Sequence, residues 1–403
     1  MGHRYEEFDS IRGIASLSVL FHHCLIVVPI FYAAHLHQQN SDMLVNVFSN
    51  SPLHVVWAGH EAVILFFVLS GFVLSLPILN GKPLQYKSYL IKRFCRIYLP
   101  YIFVMVLSYT FYMIYKNFNL IDNFSESTSI WFNTMWSENP DFKSLISIIL
   151  MLGYGTHNLN TVTWSLIHEM RISIFFPFII LFVNKKNPLK FFVIAISVLF
   201  SIWLLFMFVS NLGLSEVVSY LFYSVGYTFY YSIFFVFGGM LARYRSKLSN
   251  VFYKAKIEMK IFAILLFIFG YTIEWNTTFI SYLKYSEVLN IKLLVNFLID
   301  FTIAFSVCLL FIIVLGSGLF KSILKRQELL YLGKISFSLY LIHPISLMML
   351  IHLFKETLNL EFLILISALL SIIFAHFLYK YIEIPTITLG KKLSKSSEKK
   401  KVA

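Results

Sequence analysis

The residues best placed to do chemistry begin in the first apolar segment of the chain. Ten residues separate Arg12 from His23, so on a helix turning ~100° per residue the two lie within about 20° of one face, roughly 16 Å apart along the axis. Asp9 precedes Arg12 by one helical turn and is positioned to pair with it. An imidazole at this position suits proton transfer or nucleophilic catalysis. The alternative is a helix-end anchor followed by a structural histidine.

Two further groups combine charge with helical spacing. Arg93 and Arg96 share one helix face and suit charge-assisted hydrogen bonds to the phosphates of a nucleotide-bearing donor, although an isolated basic pair also serves simply as a topology signal. His168, Glu169 and Arg171 open an apolar segment. Such residues are costly in lipid and are expected to face a wet or polar interior, the alternative being a cluster at the membrane interface.

A polar stripe runs along a later apolar segment, where Lys292, Asn296 and Asp300 recur every four residues. We expect it to face an interior cavity, although a buried network that only fixes helix packing would show the same spacing. Glu61 precedes an aromatic run near the start of another segment, and His343 lies within the Ser336–Pro344 segment. By itself the aromatic run is a packing signal, and the Ser336–Pro344 segment alone is weak evidence of a site.

The composition of the chain indicates that the helices which carry these residues lie in lipid. Hydrophobic residues make up 58% of the 403-residue chain and charged residues 13%, with a mean hydropathy of +0.75, whereas a soluble domain is about 25% charged. The fold class is therefore an all-α integral membrane protein with about ten transmembrane helices. The predicted spans are residues 8–30, 57–79, 96–116, 163–183, 190–209, 219–242, 260–274, 290–315, 330–353 and 361–382, of which 260–274 is short and is a candidate for extension at either end.

The basic residues predict orientation. Most of the 33 lysines and arginines fall between spans on the side that carries the N-terminus, so both termini are predicted to be cytoplasmic. This clustering accounts for the net charge of +13, so the positive charge does not indicate nucleic-acid binding. Residues 31–56 and 117–162 become long outer loops, with 143–152 interfacial or re-entrant. Residues 386–403 form a basic cytoplasmic tail predicted to be disordered. His35 and His37 lack further ligands of a metal site, so no metal is expected.

Six segments, taken together and in order, resemble the acyltransferase 3 family of membrane proteins. They are Asp9-x-x-Arg12-Gly13-Ile14-Ala15 followed by His23, the Phe66–Phe72 run, Arg93-x-x-Arg96, Trp164-Ser165-Leu166-x-x-Glu169, Ser336-x-Ser338-x-Tyr340-Leu341-x-His343, and Glu383-x-Pro385. The resemblance implies a ten-helix domain over residues 1–385 that moves an acyl group, most often acetyl, from cytoplasmic acyl-CoA to a hydroxyl of a cell-surface or exported glycan. Asp9-Ser10 and Glu61-Ala62 stand where many members carry glycine.

The resemblance and the residue patterns together give the candidate site. The catalytic candidates are His23, Arg12 and Glu169. The candidates for acyl-CoA binding are Arg93, Arg96 and Arg12. The candidates for the acceptor or its cavity are His168, Arg171, His343, Asp300, Lys292, Asn296 and Glu61.

The implied partners are acyl-CoA as the donor substrate, a glycan or glycolipid acceptor and the lipid bilayer, with no nucleic acid and no permanently bound cofactor. The implied location is the bacterial cytoplasmic (inner) membrane, with multiple passes. The alternative function is a multispan transporter or flippase of a glycan or lipid-linked intermediate. That class typically shows inverted repeats or matched broken helices, and the sequence shows no such pairing.

Overall fold

The computed structural model describes residues 5–38, 42–121, 125–183, 187–276, 284 and 289–399, and the regular structure in these ranges is helical. The helices of the first half are α1 (Glu6–Ile26), α2 (Pro29–His35), α3 (Met43–Ser49), a 3₁₀ turn (Pro52–Trp57), α4 (Gly59–Leu79), α5 (Tyr86–Asn117), α6 (Ile130–Asn133), α7 (Phe142–Ile149), α8 (Thr156–Leu159) and α9 (Thr163–Val183). Those of the second half are α10 (Pro188–Ser210), α11 (Glu216–Lys254), α12 (Ile257–Tyr271), α13 (Leu289–Gly316), α14 (Gly318–Leu324), α15 (Gln327–Phe354), α16 (Leu360–Leu378), a π-helical turn (Tyr379–Glu383) and α17 (Ile384–Lys399).

Eight helical segments in the described ranges are long and apolar enough to cross a membrane, and α1 with α2 makes a ninth if that bent pair is one span. The described part of the chain is thus all-helical and multi-pass, as predicted, and it holds eight or nine candidate spans where about ten were expected. The predicted span 260–274 corresponds to α12, which has only 15 residues and falls short of the ~20 that a bilayer needs.

The first predicted span, 8–30, is divided by a bend. Between α1 and α2 the chain turns by 116°. Pro29 opens α2, and Val28 before it is extended with φ −80° and ψ 126°, the conformation that a following proline favours. The bend therefore has a local cause in the sequence.

The two long predicted loops contain short capped helices. Asp42 accepts a hydrogen bond from the Val45 amide at 2.9 Å and begins α3. Asp141 does the same for the Ser144 amide at 2.8 Å and begins α7, which covers much of the segment predicted to be interfacial or re-entrant. At the other end of the chain, α17 continues as helix to Lys399, whereas the sequence predicts a disordered tail from residue 386.

The chain divides into two compact units. The first comprises residues 1–81, 180–192 and 234–334, and the second comprises residues 82–179, 193–233 and 335–403. In the first unit, glycines permit close helix contact. A Cβ at Gly13 would lie 2.7 Å from the Gly333 nitrogen, and a Cβ at Gly238 would strike the backbone of α4 at Val68 and Phe72. Small residues of this kind let membrane helices approach backbone to backbone.

In the second unit, α17 packs along α5. Gly390 provides the room, because a Cβ there would lie 2.9 Å from the Cys95 Cβ. The π-helical turn before α17 places the buried Glu383 carboxylate where it accepts a hydrogen bond from the Ser338 hydroxyl at 2.7 Å. Two of the motif segments noted in the sequence, around Ser338 and Glu383, therefore meet in the fold.

Candidate functional site

Arg12 and His23 lie on the single uninterrupted helix α1. Arg12 donates from Nη2 to the Gly333 carbonyl at 2.9 Å and pairs with Asp9 at 3.4 Å. The Asp9–Arg12 pairing expected from the spacing is therefore present. His23 is half-buried near the other end of α1, and its ring centroid lies 5.5 Å from that of His22.

The end of α1 that carries His23 is packed against the start of α4. A Cβ built at Gly59 would come within 2.9 Å of three atoms of the His22 side chain, so only glycine fits there. The His22 Nδ1 donates to the Trp57 carbonyl at 3.1 Å, which holds the ring in place. This contact brings the first turn of α4, with His60 and Glu61, to the histidine end of α1.

Glu61 is buried and its Oε1 accepts a hydrogen bond from Trp275 Nε1 at 2.8 Å. The neighbouring Glu274 accepts from His37 Nε2 at 3.0 Å and also pairs with the Lys284 ammonium. Burial alone would raise the pKa of Glu274, but Lys284 and the hydrogen bond from His37 outweigh it and hold that pKa well below its usual range.

Aromatic rings stack around these carboxylates. The His54 ring lies 3.9 Å from the Trp275 ring and 4.4 Å from the Trp57 ring, and His37 stacks on Trp275 at 4.4 Å. Burial lowers the pKa of His54 well below its usual range, because a charged imidazole between indoles would lose its hydration. No group of three His, Cys, Asp or Glu side chains among the described residues is arranged to hold a metal ion.

The polar stripe on α13 is graded in burial. Asp300 is buried, Asn296 is half-buried and Lys292 is exposed. The Asp300 Oδ1 lies 2.7 Å from His60 Nε2. The stripe therefore has a buried end, which meets the first turn of α4, and an exposed end at Lys292.

In the second unit, Arg93 on α5 is paired with Glu169 on α9. The Arg93 Nη2 donates to Glu169 Oε1 at 2.7 Å and to the Ser173 hydroxyl at 2.8 Å, while its Nε donates to the same hydroxyl at 3.0 Å. Arg96 is half-buried three residues farther along α5. The pairing puts one catalytic candidate and one donor-binding candidate in direct contact.

His168 and Arg171 are held by α11. The His168 Nδ1 lies 3.0 Å from the Thr228 hydroxyl, and Arg171 donates from Nη1 to the Ser224 hydroxyl at 2.9 Å. Arg171 also donates from Nη2 to the Leu152 carbonyl at 2.9 Å. These bonds satisfy polar groups inside the helix cluster and tie α9 both to α11 and to the segment that follows α7.

His343 is fully buried in α15, and its Nδ1 donates to the Leu339 carbonyl at 2.9 Å, one turn earlier. Close by in the sequence, the Tyr340 hydroxyl lies 2.7 Å from the Ser165 hydroxyl on α9, and Asn160 donates to the Leu341 carbonyl at 2.9 Å. The motif around His343 is thus joined to the motif around Glu169 by side-chain hydrogen bonds.

The site residues fall into two groups, each within one unit. The first unit holds Arg12, His23, Glu61, Lys292, Asn296 and Asp300, and the second holds Arg93, Arg96, His168, Glu169, Arg171 and His343. Sequence patterns did not single out His60, Trp57, Glu274 or Trp275. A carboxylate beside a tryptophan at the end of an apolar run, as in Glu274-Trp275, was the available signal for the last two.

A family model described as an acyltransferase domain, that of the acyltransferase 3 family, matches residues 5–380 of the chain. No curated protein and no solved structure matches the chain significantly. The matched range includes the candidate site residues and five of the six motif segments, and Glu383-x-Pro385 lies just beyond its end.

Proposed function

The chain belongs to the acyltransferase 3 family of membrane O-acyltransferases, and on that premise we propose that it transfers an acetyl group from cytoplasmic acetyl-CoA to a hydroxyl of a cell-surface or exported glycan. The observation that carries the proposal is the pair Arg12 and His23 on one unbroken helix, within a family match over residues 5–380. The proposed location is the bacterial inner membrane.

Donor binding is proposed for Arg93, Arg96 and Arg12. CoA carries several phosphates, and guanidinium groups bind phosphate oxygens through paired, charge-assisted hydrogen bonds. The Arg93–Glu169 contact of 2.7 Å supports a positioning role for Glu169. A carboxylate that holds one edge of the guanidinium leaves other N–H groups of the same fork to face a phosphate.

The reaction forms an oxygen–acyl bond and breaks the carbon–sulfur bond of the thioester. A sugar hydroxyl is a weak nucleophile, so a base is needed to take its proton. His23 is the proposed reacting histidine, either as that base or as the group that first receives the acetyl and then passes it on. Both routes release CoA as the thiol and leave the acetyl on the acceptor oxygen.

The acceptor side is proposed to involve His168, Arg171, His343 and the stripe on α13. Of these, Asp300 has the strongest support, because it is buried and lies 2.7 Å from a histidine. Lys292 is exposed, so its assignment rests on helical spacing. His343 donates a hydrogen bond within its own helix, so its assignment rests on the family motif.

The test is mass spectrometry of surface glycans from cells that carry the wild-type gene, a deletion, His23→Ala or the control His157→Ala. His157 is an exposed histidine in the segment that follows α7. An acetyl-sized mass difference that is lost in the deletion and in His23→Ala, but kept in the control, is the expected result. Transfer at the wild-type level by His23→Ala, with the protein present in the membrane, would refute the assignment of His23.

No acyl difference between wild type and deletion would count against the glycan acceptor. Radiolabelled acetyl-CoA supplied to membranes then separates the remaining possibilities. Label in a small-molecule product would support the acyltransferase function with an acceptor other than a glycan, whereas the absence of any labelled product would favour the transporter function.

A further inference from the structure

A buried carboxylate holds a partly exposed imidazole in the first unit. The Asp300 Oδ1 lies 2.7 Å from His60 Nε2. The Asp300 side chain is 7% exposed, whereas the His60 side chain is 38% exposed. Two residues that are 240 positions apart in the chain therefore form a dyad with one enclosed end and one open end.

The open end of the dyad has a nitrogen available. No hydrogen bond joins His60 Nδ1 to any of the described residues. When a carboxylate accepts from one ring nitrogen, it fixes the tautomer and leaves the other nitrogen as a proton acceptor. The bond to Asp300 therefore leaves His60 Nδ1 as the nitrogen that can accept a proton, and it holds the imidazole ring in one orientation.

Other histidines of the first unit lack this combination. The His22 Nδ1 is bonded to the Trp57 carbonyl, and His22 is buried. His54 is 0% exposed and lies between two indole rings. The Nε2 of His37 is bonded to Glu274, and the His37 side chain is 8% exposed. Each of the three is enclosed, whereas the His60 side chain is 38% exposed and no described residue forms a hydrogen bond with its Nδ1.

The dyad lies at the end of α1 that carries His23. Gly59 packs on the His22 side chain, and His22 contacts His23 ring to ring. Glu61, next to His60, turns towards Trp275 and is bonded there, so it does not compete with Asp300 for the His60 Nε2. The side chain of His22 thus links the first turn of α4, which carries His60, to the family's candidate histidine.

We propose that His60 is the general base that takes the proton from the acceptor hydroxyl, with Asp300 as its positioning residue; this rests on the proposed acyl transfer. Of the two roles proposed for His23, this leaves that of acyl carrier: a ring nitrogen of His23 bonds to the acyl carbon, the carbon–sulfur bond breaks, and the CoA sulfur takes the proton that the imidazole gives up. The deprotonated acceptor oxygen then bonds to the acyl carbon, and the carbon–nitrogen bond breaks with its electron pair on His23. The proton held by His60 passes through solvent to His23, so the charges balance.

The rival explanation is that the dyad only links α4 to α13. His60→Gln separates the two, because a glutamine amide still donates a hydrogen bond to Asp300 but cannot accept a proton at neutral pH. His60→Ala opens space at the dyad that a free imidazole can enter. Asp300→Asn keeps the shape of the side chain and removes its charge, which takes away the control of the tautomer.

The experiment uses the full-length protein in membrane vesicles, with radiolabelled acetyl-CoA and an envelope glycan fraction from cells that lack the gene. We expect His60→Gln to lower the transfer rate at least about 100-fold, the usual contribution of a general base, with CoA affinity unchanged. Imidazole added to His60→Ala should raise the rate about tenfold or more, and His157→Ala should match the wild type with and without imidazole.

Two results would overturn the proposal while leaving the proposed function intact. One is wild-type activity in His60→Gln at normal abundance. The other is loss of activity in His60→Ala that imidazole does not restore, together with weakened CoA binding, because that pattern reports a packing role. Absence of transfer by the wild-type protein would instead contradict the proposed function itself.

Discussion

Removing either partner of the Arg93–Glu169 ion pair should lower the stability of the second unit by more than the loss of that residue's individual hydrogen bonds would. The contact is short, 2.7 Å, and the two side chains are only 12% and 19% exposed. Glu169→Gln leaves the Arg93 guanidinium charged with the Ser173 hydroxyl as a neutral partner. A buried charge that loses its counter-charge typically costs about 3–5 kcal/mol, and the residual exposure here places the expected loss near the lower limit.

The coupling between the two charges can be estimated separately. At a charge separation of about 4 Å and an effective dielectric constant of about 20, the Coulomb attraction is about 4 kcal/mol. The desolvation of two partly buried ions offsets a large part of it. A net coupling of about 1.5–3 kcal/mol remains, well above the ~0.5 kcal/mol that is typical of an exposed pair.

A double-mutant cycle measures this coupling directly. Arg93→Met, Glu169→Leu and the double variant would be unfolded in mixed detergent micelles, and the free energies of unfolding compared with that of the wild type. Because the double variant removes both charges, it should be more stable than the less stable of the two single variants. Additive single effects, within about 0.5 kcal/mol, would refute the reasoning and show that solvent screens the pair.

Two further predictions follow from packing and from charge. Gly238→Ala should lower the free energy of unfolding by several kcal/mol, because its Cβ would strike the α4 backbone at Val68; unchanged thermal stability in detergent would contradict the close packing. Lys284 and His37 depress the pKa of Glu274 in the folded protein. The stabilisation that ionised Glu274 provides is therefore present above the pKa of this carboxyl in the unfolded chain, and it is lost as pH falls through its pKa in the folded protein. Wild type should therefore exceed Glu274→Gln in thermal stability at pH ~7 and lose that advantage in acid, and a constant difference between the two proteins at all pH values would disprove the linkage.

The sequence predicted the helical membrane class and most of the spans, because a bilayer demands long apolar runs whatever their partners are. It also predicted the Asp9–Arg12 pair, which is set by helical spacing alone and is found at 3.4 Å. Within the described residues, the bend before Pro29 and the 15-residue length of α12 account for eight or nine spans in place of about ten. The sequence already showed that the 260–274 segment is short for a span, whereas hydropathy gives no weight to a proline inside an apolar run.

The sequence by itself determined that this protein lies in lipid and that Arg12 and His23 share one helix, since composition and helical period need no tertiary information. Only the tertiary structure decided that Asp300 meets His60, that Glu61 meets Trp275 and that Arg93 meets Glu169, pairs separated by 240, 214 and 76 positions. The physical reason is that a charged or polar side chain removed from water requires a partner, and which partner it finds depends on how distant helices pack rather than on its neighbours in the chain.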